Sequence, residues 1–146
     1  MTTIPKNNLW RCHSHPEQKV YILFCSKIKA GFPSPAEDYI DQMLDLNDYL
    51  VTHPAATFFL KVDGDSMINM GIHHNDVLIV DRSLSPKSGM VVVVSIDGQF
   101  TVKQLKKTKT QLLLIPANPK FPVIEITDGM EFSIWGVVTN AIHRLA

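Results

Sequence analysis

Read for its alternation of apolar and polar positions, the chain changes character near residue 57. From there on, β-branched and aromatic runs recur at short intervals, over residues 57–62, 77–80, 90–96, 99–105, 112–115, 123–126 and 132–142. Each run has the length and composition of a strand. Asp97-Gly98, between two of them, is a two-residue hairpin signal, because both positions of such a turn need positive φ. The all-apolar stretch Val91 to Val94 predicts a strand covered on both faces. The result is a mostly β body of about seven strands.

The N-terminal third reads differently. Residues 1–29 are irregular, and only Val20-Tyr21-Ile22-Leu23-Phe24 has the character of a strand or docking segment. In Gly31-Phe32-Pro33-Ser34-Pro35 two prolines fix φ and push the residues before them toward extended geometry, which predicts an extended linker. Asp45 suits an N-cap, Leu46, Tyr49 and Leu50 follow at helical spacing, and His53-Pro54 stops the pattern. A short helix therefore leads into the body.

Composition narrows the function. In 146 residues, 14 Lys+Arg balance 14 Asp+Glu, so the net charge is zero with neutral histidines. Phosphate neutralisation supplies most non-specific affinity for nucleic acid, so direct, sequence-specific DNA binding by this chain alone is disfavoured. Charged residues make up 19 % and apolar residues 45 %, a mix that folds and carries little charge to keep copies apart, so self-association is expected. Cys12 and Cys25 both precede residue 30, leaving the body without a disulfide framework. The longest apolar run in the first 30 residues, Val20 to Phe24, is too short for a signal-peptide core or membrane span. A cytoplasmic protein is expected, with no membrane association.

Several residues could carry chemistry. Gly64-Asp65-Ser66-Met67 follows a strand directly, and a serine at such a junction can present its hydroxyl beside backbone N–H groups. Gly-Asp-Ser is equally a common turn composition. A nucleophilic serine needs a base, and none of the six histidines is an obvious partner; each reads as a surface residue. The other base known for serine is a neutral lysine. Lys103 lies within Phe100-Thr101-Val102-Lys103-Gln104-Leu105, where strand period puts it on one face with Thr101 and Leu105. A lone strand lysine usually faces solvent. Cys12, His13, His15 and Cys25 fit no regular metal-ligand spacing, and neither a metal nor another cofactor is expected. Lys106, Lys107 and Lys109 read as a solvated turn.

Four motifs together carry a resemblance: Gly31-Phe32-Pro33-Ser34-Pro35-Ala36, Gly64-Asp65-Ser66-Met67, Asp76-Val77-Leu78-Ile79-Val80-Asp81 and Phe100-Thr101-Val102-Lys103-Gln104-Leu105. In order and spacing they resemble the self-cleaving serine-lysine proteins of the bacterial SOS response, the LexA-type repressors and UmuD-type mutagenesis proteins. The likeness runs from about Ala30 to the C-terminus. It is greatest to the UmuD type, since 30 residues before Gly31 are too few for the repressors' winged-helix domain.

The resemblance implies a LexA/signal-peptidase-like β domain with an extended N-terminal arm. It makes Ser66 the nucleophile, Lys103 the general base and the backbone N–H groups of Asp65 and Ser66 the oxyanion hole. The cleaved bond would be Ala30–Gly31; the best-known UmuD has cysteine before the glycine, and Ala-Gly is the pair typical of the repressors. Residues 1–30 would be the removable arm and 31–146 the dimerising peptidase-like domain. Implied partners are a second copy of the chain, the RecA filament on single-stranded DNA, which favours the cleavable conformation, and a UmuC-type translesion polymerase. Leu23 and Phe24 align with an arm segment that touches the sliding clamp, although Val20 to Phe24 could equally only hold the uncleaved arm against the body. For the base to work, Lys103 needs a pKa well below the ordinary ~10.4, which burial would give. The alternative function is a non-enzymatic dimeric adaptor or regulator of the same fold.

Overall fold

The computed structural model describes residues 9–11, 19–24, 30–31 and 41–146. Among the described residues ten strands, β1 (Leu9–Arg11), β2 (Val20–Phe24), β3 (Asp41–Asp45), β4 (Thr57–Lys61), β5 (Val77–Asp81), β6 (Val91–Ile96), β7 (Gln99–Lys107), β8 (Leu112–Ile115), β9 (Ile124–Glu125) and β10 (Phe132–Ile142), accompany one short α-helix, α1 (Leu46–Leu50), and two 3-10 turns, Pro54–Ala56 and Ile68–Met70. Eight strands form one antiparallel sheet in the order β1-β4-β5-β10-β6-β7-β8-β9. This is the expected mostly β fold. Among the described residues no helix is long and apolar enough to cross a membrane.

The central strand β6 shows why the apolar run is needed. Val93 joins a core of Leu60, Met67, Ile72, Leu78 and Val80, whereas Val92 and Val94 join a second core of Leu105, Leu114 and Val137. Successive side chains of a strand point to opposite faces, so one valine run serves two cores. The hairpin from β6 to β7 turns at Asp97 (φ 47°) and Gly98 (φ 82°), as the Asp-Gly pair requires. Strand β10 carries register shifts next to Trp135 and Thr139, the irregularity that lets an 11-residue strand bend between β5 and β6. Gly136 allows the closest approach: a Cβ there would sit 2.6 Å from Val80 Cγ1.

Two compact units emerge, residues 1–13 with 53–146, and residues 14–52. In the smaller unit β2 pairs antiparallel with β3, from Val20 opposite Asp45 to Phe24 opposite Asp41. Asp45 then caps α1, its Oδ1 accepting the Asn47 N–H at 2.8 Å. Ala30 and Gly31 form an exposed bend in the connection from β2 to β3. The division at residue 30 is one of expected cleavage and differs from this division by packing, since β1 is the outermost strand of the large sheet and pairs with β4. Of the proline-containing linker only Gly31 lies among the described residues, and Cys12, His13, His15 and Cys25 lie outside them.

Candidate active site

Strand β4 delivers the chain to a turn at Gly64-Asp65-Ser66. Gly64 has φ +95°, a conformation that L side chains rarely adopt, so the glycine is required for the turn. The turn is tied down from three sides. His74 Nδ1 accepts the Gly64 N–H at 3.0 Å, so this nitrogen carries no proton. The Ser66 carbonyl accepts the Ala117 N–H at 2.8 Å, and the Asp65 carbonyl accepts from Asn118 Nδ2 at 3.0 Å. With both carbonyls held by residues 117–118, the Asp65 and Ser66 N–H groups have no acceptor among the described residues. Met67, buried at 2 % exposure, anchors the following turn in the core.

Lys103 comes from the middle of β7, opposite Val92 of β6. It does not face solvent: only 6 % of the residue is exposed. Its Nζ lies 3.1 Å from Ser66 Oγ, 2.9 Å from Thr101 Oγ1 and 3.0 Å from the Val102 carbonyl oxygen. Thus the shared strand face of Thr101 and Lys103 has a chemical use. Burial pushes the Lys103 pKa down from its ordinary value, because the charged form loses solvation.

Protonation state sets the direction of these contacts. An ammonium has three donors and would use one on each neighbour. A neutral amine has two donors and a lone pair. The Val102 carbonyl can only accept, so one N–H must point there, and with the second on Thr101 Oγ1 the lone pair faces Ser66 Oγ. In that state the serine hydroxyl donates to the lysine, which is the arrangement needed to draw off its proton.

Ser66 and Lys103 open onto a cavity of about 310 Å³. Its lining includes the polar Asp63, Asp65 and Thr101 and the apolar Phe121, Pro122 and Ile124. Ile124 belongs to β9, the terminal strand of the sheet, so an edge lies beside the site. Asn118, which fixes the Asp65 carbonyl, is a site residue that no sequence motif points to.

The described histidines, His53, His73, His74 and His143, make no hydrogen bond to Ser66, and three of them serve buried carboxylates instead. His53 Nδ1 lies 2.6 Å from Asp81 and His143 Nδ1 lies 2.6 Å from Asp76, with His73 close to the same Asp76. Burial by itself would raise the Asp76 pKa, but the His73 N–H and the His143 ring outweigh it and hold the carboxyl below its usual range. Asp81 behaves likewise: burial raises it, and bonds from Ser83 and His53 bring it below the usual value. Lys106, Lys107 and Lys109 are exposed, but Lys106 and Lys107 are not turn residues: they end β7, opposite Leu113 and Leu112 of β8, and only Lys109 lies in the connection between the two strands. Ala30 and Gly31 belong to the smaller unit, and Leu23 and Phe24 are backbone partners of Gln42 and Asp41 in its hairpin.

The chain is similar to known proteins over most of its length. The profile of the peptidase S24-like family matches residues 22–139. Protein SamA of Salmonella typhimurium is 45 % identical over 129 residues, covering 88 % of this chain and 89 % of the relative. Protein MucA of Escherichia coli is 46 % identical over 133 residues, covering 90 % and 86 %. The LexA repressor of Stenotrophomonas maltophilia is 37 % identical over 128 residues, but these make up only 60 % of that longer protein. The matched stretch takes in both the turn that presents Ser66 and the strand that buries Lys103, and the chain belongs to the peptidase S24-like family.

Proposed function

We propose that the protein is a self-cleaving serine endopeptidase that uses Ser66 and Lys103 to cut its own Ala30–Gly31 bond. One observation carries this reading: a buried lysine amine 3.1 Å from a serine hydroxyl, lining a cavity with apolar residues. Ser66 Oγ attacks the Ala30 carbonyl carbon as its proton passes to Lys103 Nζ. The Asp65 and Ser66 N–H groups receive the developing oxyanion. Collapse breaks the bond to Gly31, whose amine leaves with the proton from Lys103. Water, deprotonated by the now neutral Lys103 amine, attacks the Ala30 ester carbonyl, and Ser66 Oγ leaves by taking that proton back from Lys103, which frees the Ala30 carboxylate.

The exposure of Ala30 and Gly31 supports their role as the cleaved pair, since a peptide bond must leave its own surroundings to enter a site. Both are small, and an extended segment could add its backbone beside β9. Slow, regulated cleavage follows if the docked arm is a minor state that the RecA filament makes commoner, a population shift without donated catalytic groups. The product would be the 116 residues from Gly31 to Ala146, acting as a cytoplasmic homodimer with a UmuC-type polymerase in SOS mutagenesis. Zero net charge fits a subunit that leaves DNA contact to the polymerase and the filament. Leu23 and Phe24 would anchor a clamp contact while the arm is attached.

Intact mass tests the reading. Purified protein held between pH 7 and pH 10, with and without RecA filament, should yield a fragment starting at Gly31, faster as pH rises. Ser66→Ala and Lys103→Ala should remain whole. A wild-type chain that stays intact under all these conditions would leave the dimeric adaptor as the better description. Dilution separates cleavage within one chain, which is concentration-independent, from cleavage of another.

A further inference from the structure

A second cluster lies apart from the cavity. Strands β5 and β10 are antiparallel with Val77 opposite Ile142, so the next step of the register brings Asp76 and His143 together. The turn before β5 adds His73, whose backbone N–H donates to Asp76 Oδ2 at 2.7 Å. Its ring stacks on that of His143 with centroids 4.2 Å apart. The carboxylate is thus flanked by two imidazoles, with His143 Nδ1 2.6 Å from Oδ1 and His73 Nδ1 3.6 Å from Oδ2. Asp76 is 2 % exposed, and His73 Nδ1 is buried with no hydrogen-bond partner. An imidazole nitrogen removed from water and left unpaired is unusual and calls for an explanation.

We propose that His73, Asp76 and His143 form a binding site for a single divalent transition-metal ion of the zinc type. Two imidazoles and one carboxylate suit zinc, cobalt or nickel, whereas magnesium and calcium prefer an all-oxygen shell. The three ligand atoms already lie within 4.8 Å of one another. An ion held tetrahedrally at ~2.0–2.1 Å keeps its ligand atoms about 3.3 Å apart. The 3.6 Å separation of His73 and Asp76 is close to this, and His143 must withdraw from its 2.6 Å contact and turn out of the stack. The side chain of His143 is 41 % exposed, which gives it room to do so and leaves a fourth position open to water. The lone pair of His73 Nδ1 then acquires a partner.

The site would bear on the peptidase turn through one residue. His74, next to His73, accepts the Gly64 N–H two residues before Ser66. An ion joining residues 73 and 76 to the end of β10 would brace that support.

Cobalt provides the direct probe. Full-length protein freed of metal by a chelator is titrated with Co²⁺, and the visible d–d absorption and calorimetric stoichiometry are recorded; zinc should displace the cobalt. The expected result is one ion per chain, with His73→Ala and His143→Ala each weakening binding by more than ~100-fold, since even outer partners of metal ligands are worth 10–100-fold. His53→Ala, at a separate carboxylate, should leave the titration unchanged. Absence of saturable binding to wild type, or unchanged affinity in both histidine variants, would overturn the proposal. Neither histidine lies in the buried core, so these variants test the site even if Asp76→Asn fails to fold.

Discussion

Replacing Thr101 with valine keeps the shape of the side chain and removes one acceptor from Lys103, and the two protonation states of the amine do not lose equally. The ammonium is held by Ser66 Oγ, Thr101 Oγ1 and the Val102 carbonyl, all within 3.1 Å. A hydrogen bond from a charged donor contributes ~1.5–3 kcal/mol, a neutral one ~0.5–1.5. The protonated form therefore loses about 1–1.5 kcal/mol more than the neutral form. At ~1.36 kcal/mol per unit, the midpoint of the pH–rate profile for self-cleavage should move down by about one unit. The neutral amine meanwhile loses the bond that turns its lone pair toward Ser66. About 1 kcal/mol of lost orientation lowers the plateau rate about fivefold. Variant and wild type are compared by intact mass at closely spaced pH values. A midpoint that moves upward, or a plateau unaffected by the substitution, would refute the assignment of these donor directions.

Asn118→Ala should destabilise the fold by about 2 kcal/mol, one for each of the bonds Asn118 makes to Asp65 O and to the Lys120 N–H. It should also slow cleavage without moving the midpoint; thermal melting and the same pH series check both. Gly136→Ala drives a Cβ to 2.6 Å from Val80 Cγ1 in a fully buried position, so a loss of about 1–3 kcal/mol is expected in urea unfolding. Lys103→Met tests the burial cost by linkage. Because the folded pKa is depressed, the unfolded chain binds the proton more readily, and wild type loses stability as pH falls from about 10.4 toward the folded value. Methionine escapes this, so its advantage over lysine should be fully developed below the folded value and close as pH rises toward 10.4. A gap that is constant or grows with pH counts against a buried ammonium.

The strands of the body were legible because their signals are local: β-branched runs, an Asp-Gly turn, and a valine run long enough for two cores. The cap at Asp45 was legible for the same reason. Strands β1 and β3 were not. Leu9–Arg11 is three residues long and exists as a strand through pairing with Phe58 to Leu60, about fifty residues away. Asp41–Asp45 has aspartate at both ends and no β-branched residue, so only its register with β2 marks it as extended. The site divided in the same way. Ser66 and Lys103 could be nominated from strand phase and motif resemblance. Lys103 is buried, with its Nζ 3.1 Å from a serine 37 residues away, and a lone strand lysine gives no sign of that. Asn118 and the grouping of His73 with His143 depend on strand neighbours distant in sequence.

The central claim is that Lys103 is the neutral amine that takes the Ser66 proton. Selective ¹³C labelling of lysine side chains lets the Lys103 Cε resonance, identified by its loss in Lys103→Met, be titrated in the uncleaved Ser66→Ala protein. The account predicts that it titrates well below the ordinary lysine value of ~10.4 and about one unit below the pH midpoint of wild-type self-cleavage, because Ser66→Ala removes one of the three acceptors that hold the ammonium. Titration of Lys103 together with the exposed lysines, or a cleavage midpoint unrelated to it, would contradict the account.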